Sequence, residues 1–505
     1  LEGPGPRLCE AWALAHARGE LAQIGSHVPS NLAALAAGWA RRPARIEVPR
    51  RDPELVANVS IPGKPWEGSS PSVPLLAPQR VLVSTGSAVL RYSRTGTLLS
   101  QFPQRLDGAA PPPAESTRLR AELTPLGDEV FAPLALERWL APAREPSPGA
   151  QADPALGGYF YSLVGLERET LRVGWWDGDP GPRAAPPPLA PEPRLDAVLR
   201  AGHVIACASD GFRVYVACLS KGTELGLFVF AYRPVSRIGQ DLALEPAWSA
   251  PVRVVQVEYG GAEDLAVRPE VAARLSLDGC GRLVCTTDVG IVACLSTVSG
   301  DLEWLHERFA QGNETEFRRW GPRQQPPPPP PPAAALTVPD PERPELGPLA
   351  VAFAGPELLG VRLRTGEVLW SRPRQTLEHL LPGEGTEFLA YGGSQALGLS
   401  GRSGESTHPQ RRPLSIGRFE FCGLGVEVAG GYLVPVRLAQ RAGGVGGGNV
   451  SLHRLAWRRL PQGGRSILFD GSHRLPLNEP ANLAIDADHV VALGATRMVV
   501  VSFRQ

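Results

Sequence analysis

The sequence predicts an all-β protein assembled from repeated antiparallel hairpins. Three observations carry that prediction. Short runs rich in Val, Ile, Leu and aromatic residues recur along most of the chain, each bounded by Gly, Asp or Ser turn signals. No long segment of helical period separates them, which argues against an α/β order. One phrase also returns several times: a strand end, a Thr/Ser-Gly pair, and a large apolar residue four positions after the glycine.

The start of the chain differs from the rest. Ala11, Trp12, Leu14, Ala15, Leu21 and Ile24 recur at helical spacing. After Gly25–Pro29, Ser30 can cap a second helix through Leu32, Leu35, Ala36 and Trp39, and Pro43 ends it. Residues 1–44 therefore read as a helical hairpin, suited to the end of a longer helical-repeat region upstream, and residues 45–505 as the β domain.

The hairpins follow in order. Val81–Val83 and Val89–Leu90 flank the turn Ser84-Thr85-Gly86-Ser87. Val204–Cys207 and Val214–Cys218 flank Ser209-Asp210-Gly211, and Leu227–Tyr232 comes next. Arg282–Thr287 and Ile291–Leu295 flank Asp288-Val289-Gly290. His489–Leu493 turns at Gly494-Ala495 into Met498–Phe503. Three Pro-rich stretches, 108–116, 180–193 and 322–345, read as loops or insertions, and the run Pro326–Pro332 in the last is a stiff, solvated polyproline II tract. That tract reads as a surface loop between repeats, with a ligand for a proline-binding groove as the alternative.

The recurring phrase has two full copies, Cys294–Trp304 and Gly360–Trp370. Gly398–Glu405 lacks the Trp, and Tyr92–Ser100 carries Ser in its place. The glycines Gly96, Gly300, Gly366 and Gly404 are expected at φ > 0, and Trp304 and Trp370 are expected to fill the space between adjacent sheets. With its preceding hairpin, residues 281–304, the phrase resembles the repeat of quinoprotein-like (PQQ-like) β-propellers, whose consensus is close to A-L-D-x-x-T-G-x-x-x-W. The likeness covers residues 66–503. The family's Asp is replaced near Tyr92, Ser296, Arg362 and Ser400, so the turns must be bonded differently.

The resemblance implies a propeller of seven or eight four-stranded antiparallel blades, with cores near 66–105, 120–180, 198–250, 272–310, 346–373, 376–410, 419–470 and 481–503. The last is too short for a full blade. Strands near Arg45–Val48 and Val56–Ile61 are expected to complete it and close the ring.

Composition narrows the function. The balance of 51 basic and 51 acidic residues argues against a general nucleic-acid binder. No run of apolar residues is long enough for a membrane span, and no signal peptide is visible at Leu1. The seven cysteines show no C-x-x-C spacing. Cys207 could face Cys218 across a hairpin, and Cys285 could face Cys294, but all read first as small buried hydrophobes.

Candidate catalytic and metal-binding residues are lacking. No G-x-S-x-G elbow and no H-E-x-x-H spacing occurs. Asp177-Gly178-Asp179 and Asp486-Ala487-Asp488 have too few oxygen ligands for a calcium loop and read as turns. Gly443–Gly448 lacks the strand–helix setting of a phosphate loop. Some members of the resembled family are quinone-dependent dehydrogenases with a vicinal Cys-Cys disulfide; no two cysteines here are adjacent. No cofactor is therefore expected. Trp175 and Trp176, adjacent in a strand, should point to opposite faces; either both pack, or one anchors a partner.

The expected function is a non-catalytic scaffold that binds a protein or peptide partner on one propeller face, as a monomer or as part of a larger chain. The alternative is a dehydrogenase or small-ligand binder using the central channel, marked by polar side chains converging from the innermost strands. The resemblance implies a periplasmic or extracytoplasmic location.

Overall fold

The computed structural model describes most of residues 53–503. It leaves out residues 1–52, the stretches 62–71, 103–116, 137–161, 177–201, 236–242, 259–272, 308–334, 409–412, 440–448 and 460–464, and some single positions and short turns. The helical hairpin read over 1–44, the strand near Arg45–Val48 and the polyproline tract fall outside the described residues.

The described strands form eight antiparallel sheets in a ring, each a four-position blade. Blade 1 comprises Leu75–Ala77, Arg80–Ser84, Val89–Ser93 and Leu98–Phe102. Blade 2 has Thr117–Leu119 and Thr124–Leu126 end to end in its first position, then Glu129–Leu136, Ser162–Glu167 and Val173–Trp176. Blade 3 has Gly202–Ser209, Val214–Ser220 and Glu224–Val235, with Ala243–Pro246 and Val252–Glu258 sharing the fourth position. Blade 4 runs Ala273–Leu277, Arg282–Thr287, Ile291–Ser296 and Leu302–Glu307. Blade 5 runs Ala335–Val338, Leu349–Ala354, Glu357–Arg362 and Val368–Pro373. Blade 6 runs His379–Pro382, Glu387–Gly392, Gln395–Ser400 and a two-residue fourth strand, Leu414–Ser415. Blade 7 shares its first position between Phe419–Phe421 and Val426–Val428, followed by Gly431–Leu438, Ser451–Arg459 and Arg465–Arg474.

Blade 8 closes the ring. Asn482–Ile485, His489–Leu493 and Arg497–Ser502 supply three strands, and Glu54–Ser60 pairs antiparallel with Arg497–Ser502 as the fourth. Both ends of the β domain thus meet in one sheet, as the short final hairpin led us to expect. Ile61 N–H extends the joint to Thr496 O at 2.8 Å. Burying the edge of Arg497–Ser502 removes an unpaired row of backbone groups.

Burial follows from pairing each sheet with its neighbours. Apolar clusters lie between blades 8 and 1 (Val83, Tyr92, Val491, Val500), 1 and 2 (Leu82, Phe102, Val130, Leu166), and 4 and 5 (Val284, Val292, Ala352, Leu359). Others join 5 to 6, 6 to 7 and 7 to 8, and one large cluster runs from Phe131 of blade 2 through blade 3 into blade 4. The central strands of a blade are covered on both faces, so they read as continuous apolar runs such as Leu349–Ala354, buried throughout. First strands adjoin across the channel wall: Ser276 Oγ of blade 4 donates to Ala335 O of blade 5 at 3.3 Å.

Two expectations need correction. Blade 5 takes its first strand, Ala335–Val338, from inside the stretch read as the Pro-rich insertion, which therefore ends before it. The alternation within Leu336–Val338 was masked by the neighbouring prolines. The cysteines also do not face each other. Cys207 lies opposite Val216 and Cys218 opposite Val204, while Cys285 lies opposite Ala293 and Cys294 opposite Val284. A one-residue offset sends Cys285 and Cys294 to opposite faces of their sheet, while Cys207 and Cys218 share a face two positions out of register. All five described cysteines are buried.

Candidate functional site

The repeat residues join blade to blade. Each repeat glycine has positive φ: +86° at Gly96, +82° at Gly300, +73° at Gly366 and +65° at Gly404. Trp304 of blade 4 lies over Gly366 of blade 5 and donates its indole N–H to Leu363 O at 2.8 Å. Trp370 of blade 5 lies over Gly404 of blade 6 and donates to Gly401 O at 2.6 Å. Trp248 of blade 3 does the same over Gly300 of blade 4, donating to Thr297 O at 3.1 Å. In all three, the acceptor is the carbonyl three residues before the glycine. Trp248 was not found from the sequence because blade 3 lacks the Thr/Ser-Gly phrase; its signal was only an apolar ring after a strand-breaking Pro246.

A β-bulge aims Trp304 and Trp370. Glu303 is the extra residue before Trp304, and Leu369 before Trp370. The same bulge falls at Val56 in the closing strand, so Ala57 takes the Trp register, and Ala57 with Val59 covers Gly96. Bulges re-aim a side chain at a fixed point in a strand. Where the family's Asp is missing, serines bond the turns instead: Ser296 Oγ accepts from Ser299 N and Ser400 Oγ from Arg402 N. Gly174 is bulged before Trp175, which pairs opposite Gly165 as Trp370 does opposite Gly360; Trp176 pairs opposite Val164.

Blade 6 breaks the pattern. Among the described residues its fourth position holds only Leu414–Ser415 and an isolated bridge from Ser406 to Leu399, and the sequence has no Trp four positions after Gly404. Trp457 of blade 7 fills the gap from the other side, lying over Gly398 and donating to Tyr432 Oη at 3.0 Å. Tyr432 in turn donates to Pro382 O of blade 6 at 2.7 Å.

Blade 7 follows that short fourth strand. An aromatic row crosses that sheet. The rings of Phe419 and His453 are 6.0 Å apart, and those of His453 and Phe469 are 5.3 Å apart at a steep angle. Phe469 is 38% exposed and Leu438, opposite Phe419, is 41% exposed. Burial holds the His453 imidazole below the usual histidine range, so it is neutral near pH 7 and behaves as part of the row.

A group of polar side chains surrounds the start of the first strand of blade 6, His379–Pro382. His379 of blade 6 is 11% exposed, lies 4.0 Å from the Glu378 carboxylate and tilts against Tyr391 at 5.1 Å. Burial, then Arg274 of blade 4 and Arg374, push His379 down to about 3. Burial raises Glu378, Glu420 of blade 7 adds to that, and Arg374 opposes it. Glu420 is bonded by Arg437 Nε at 2.5 Å. Charged side chains of blades 4 and 7 thus act electrostatically on this pair in blade 6.

The residues do not fit the quinone cofactor of the resembled enzymes. No two cysteines are adjacent in the sequence, and the repeat tryptophans are engaged between blades. Among the described residues no three His, Cys, Asp or Glu side chains are grouped to hold a metal ion. Also among them, no helix is long and apolar enough to cross a membrane.

No family model matches the chain, and no curated protein matches it. Solved structures similar to it include BamB from Moraxella catarrhalis, at 13% identity over 89% of this chain and 98% of that one, with a TM-score of 0.44. The computationally designed Ika8 protein is similar at 10% identity over 89% and 99%, with a TM-score of 0.45. The C-terminal WD40 domain of Sif2 is similar at 8% identity over 92% and 99%, also with a TM-score of 0.45. Likenesses this distant carry no functional argument, and the propeller assignment rests on strand order and register in the chain itself.

Proposed function

We propose that this chain is a non-catalytic propeller scaffold that receives a protein or peptide partner on its surface. The observation that carries the reading is the half-exposed aromatic row Phe419–His453–Phe469, held on a rigid sheet in a closed ring. Exposed aromatic side chains on a preformed surface lose little entropy on binding and commonly anchor partners. An extracytoplasmic location belongs to the same proposal and rests on the family resemblance alone.

The electrostatic coupling of Arg274, Glu378, His379 and Glu420 near the first strand of blade 6 favours a second reading, a small ligand held by the inner strands. One experiment separates the two. The purified chain is titrated calorimetrically with pyrroloquinoline quinone and calcium, and assayed for dye-coupled alcohol oxidation. In parallel it is used as affinity bait. A stoichiometric partner without heat or turnover is expected. Stoichiometric cofactor binding with turnover would replace the scaffold with a channel enzyme.

A further inference from the structure

Trp248, Trp304 and Trp370 each close a joint by lying over a glycine of the next blade. The joint between blades 1 and 2 is built the other way round. Ser100 follows the bulge at Leu99 as Trp304 follows the bulge at Glu303, so it holds the tryptophan place of blade 1. It stands opposite Arg91, which stands opposite Leu82, and this face is turned to blade 2. On blade 2, Leu166 pairs with Val173 as Leu295 pairs with Leu302, so Leu171 holds the place that Gly300 holds in blade 4. Leu171 has φ +58°, in the left-handed region that suits glycine. Its side chain is fully buried in a cluster with Leu82, Val89 and Phe102 of blade 1. The large and small members of the dock have changed sides.

This arrangement carries costs that the tryptophan docks avoid. Left-handed backbone disfavours a leucine about tenfold. Gln79 and Gln375, the other described non-glycine residues at positive φ, are exposed in turns, whereas Leu171 is held in a core. Ser100 Oγ is buried with no hydrogen-bond partner among the described residues, while the indole N–H groups of Trp304 and Trp370 are bonded. Burial, then the charge of Arg80, hold the Arg91 guanidinium of the same face below the usual arginine range.

We propose that the joint between blades 1 and 2 is the seam at which the closed ring opens, with Leu171 as an inverted lock in place of a tryptophan dock. Strain held in a buried left-handed residue is released when its surroundings part, so this joint has the lowest local opening free energy in the ring. The seam does not depend on what the propeller binds.

Thiol labelling under native conditions, read peptide by peptide in a mass spectrometer, tests the seam. Val89→Cys places a thiol in the joint between blades 1 and 2, and Cys294, buried between blades 4 and 5, is the internal reference. Each rate is divided by that of the same thiol in the unfolded chain. The Val89→Cys thiol should react about tenfold faster than Cys294 or more. Adding Ser100→Trp together with Leu171→Gly installs the usual dock and should remove that difference. A second measurement needs no new cysteine. Ser100→Trp alone should lower the urea midpoint by crowding Leu171, and Leu171→Gly alone should lower it by leaving a cavity. The double variant should unfold at a higher midpoint than either single variant. Equal labelling of Val89→Cys and Cys294 means that the ring opens only by unfolding as a whole, and overturns the proposal. So does a double variant that still labels fast, or one whose two losses simply add.

Discussion

Substituting Gly404 by alanine tests whether the tryptophan docks hold the ring. Gly404 sits at φ +65°, and a Cβ there would come within 2.5 Å of Trp370 Cδ2. Two costs add. A left-handed backbone disfavours a Cβ by about 1–2 kcal/mol. Displacing a packed ring costs about 1–3 kcal/mol more, and the bond from Trp370 to Gly401 O, at 2.6 Å, is put at risk. The expected loss is about 2–5 kcal/mol. Gly430 is the control, because its φ is +74° and nothing lies within 4 Å of its would-be Cβ. Gly430→Ala should cost only the backbone share, about 1–2 kcal/mol. Trp370→Ala alone should cost about 3–5 kcal/mol. Combined with Gly404→Ala it should cost less than the sum, because the small side chain removes the clash. Urea midpoints at unchanged slope give the free energies, and hydrogen exchange at Gln395–Ser400 shows whether the loss is local. Equal losses at Gly404 and Gly430, or strict additivity of the double variant, would refute the docking account.

Further outcomes follow from other parts of the ring. Ala57→Arg puts a long cation where Gly96 of blade 1 is approached, so the closing strand should release and amide protection across Arg497–Ser502 should fall in hydrogen exchange. His379, pushed down to about 3, stays neutral when folded while the unfolded chain takes a proton below about pH 6.5. Stability should therefore be lost as pH falls through that window, by about 2 kcal/mol between pH 7 and 5 for this group. His379→Gln should flatten that part of the profile in denaturant titrations at each pH; an unchanged slope would count against the buried, neutral imidazole. Burial pushes Cys285 and Cys422 up to about 12 and raises Cys294 as well, so these thiols should resist alkylation at pH 8 until the chain is unfolded, as read by mass spectrometry. Early labelling of the native protein would contradict their burial.

Much of the architecture was legible in the chain because propeller order is local. Each blade is a run of neighbouring hairpins, so turn signals such as Asp210-Gly211 mark strands that pair with the next in sequence. The Thr/Ser-Gly phrase also carried its geometry, since positive φ at Gly300, Gly366 and Gly404 is a backbone property that glycine alone supplies cheaply. The short final hairpin implied a missing strand, and Glu54–Ser60 provides it.

Contacts between blades were not legible. That Trp304 belongs to the turn of blade 5, or that Trp457 substitutes for a ring missing from blade 6, depends on which sheet faces come together. The candidate surface is of the same kind. Phe419, His453 and Phe469 are 50 residues apart from first to last, and no spacing links them. They become a row only because antiparallel register sets their strands side by side. Sequence by itself determined the repeating unit, its turns and the need for closure, since those arise from short-range backbone preferences and period-two burial. Tertiary structure alone decided which rings are buried between blades and which stay half-exposed, because exposure is set by the neighbouring sheet and not by the strand that carries the residue.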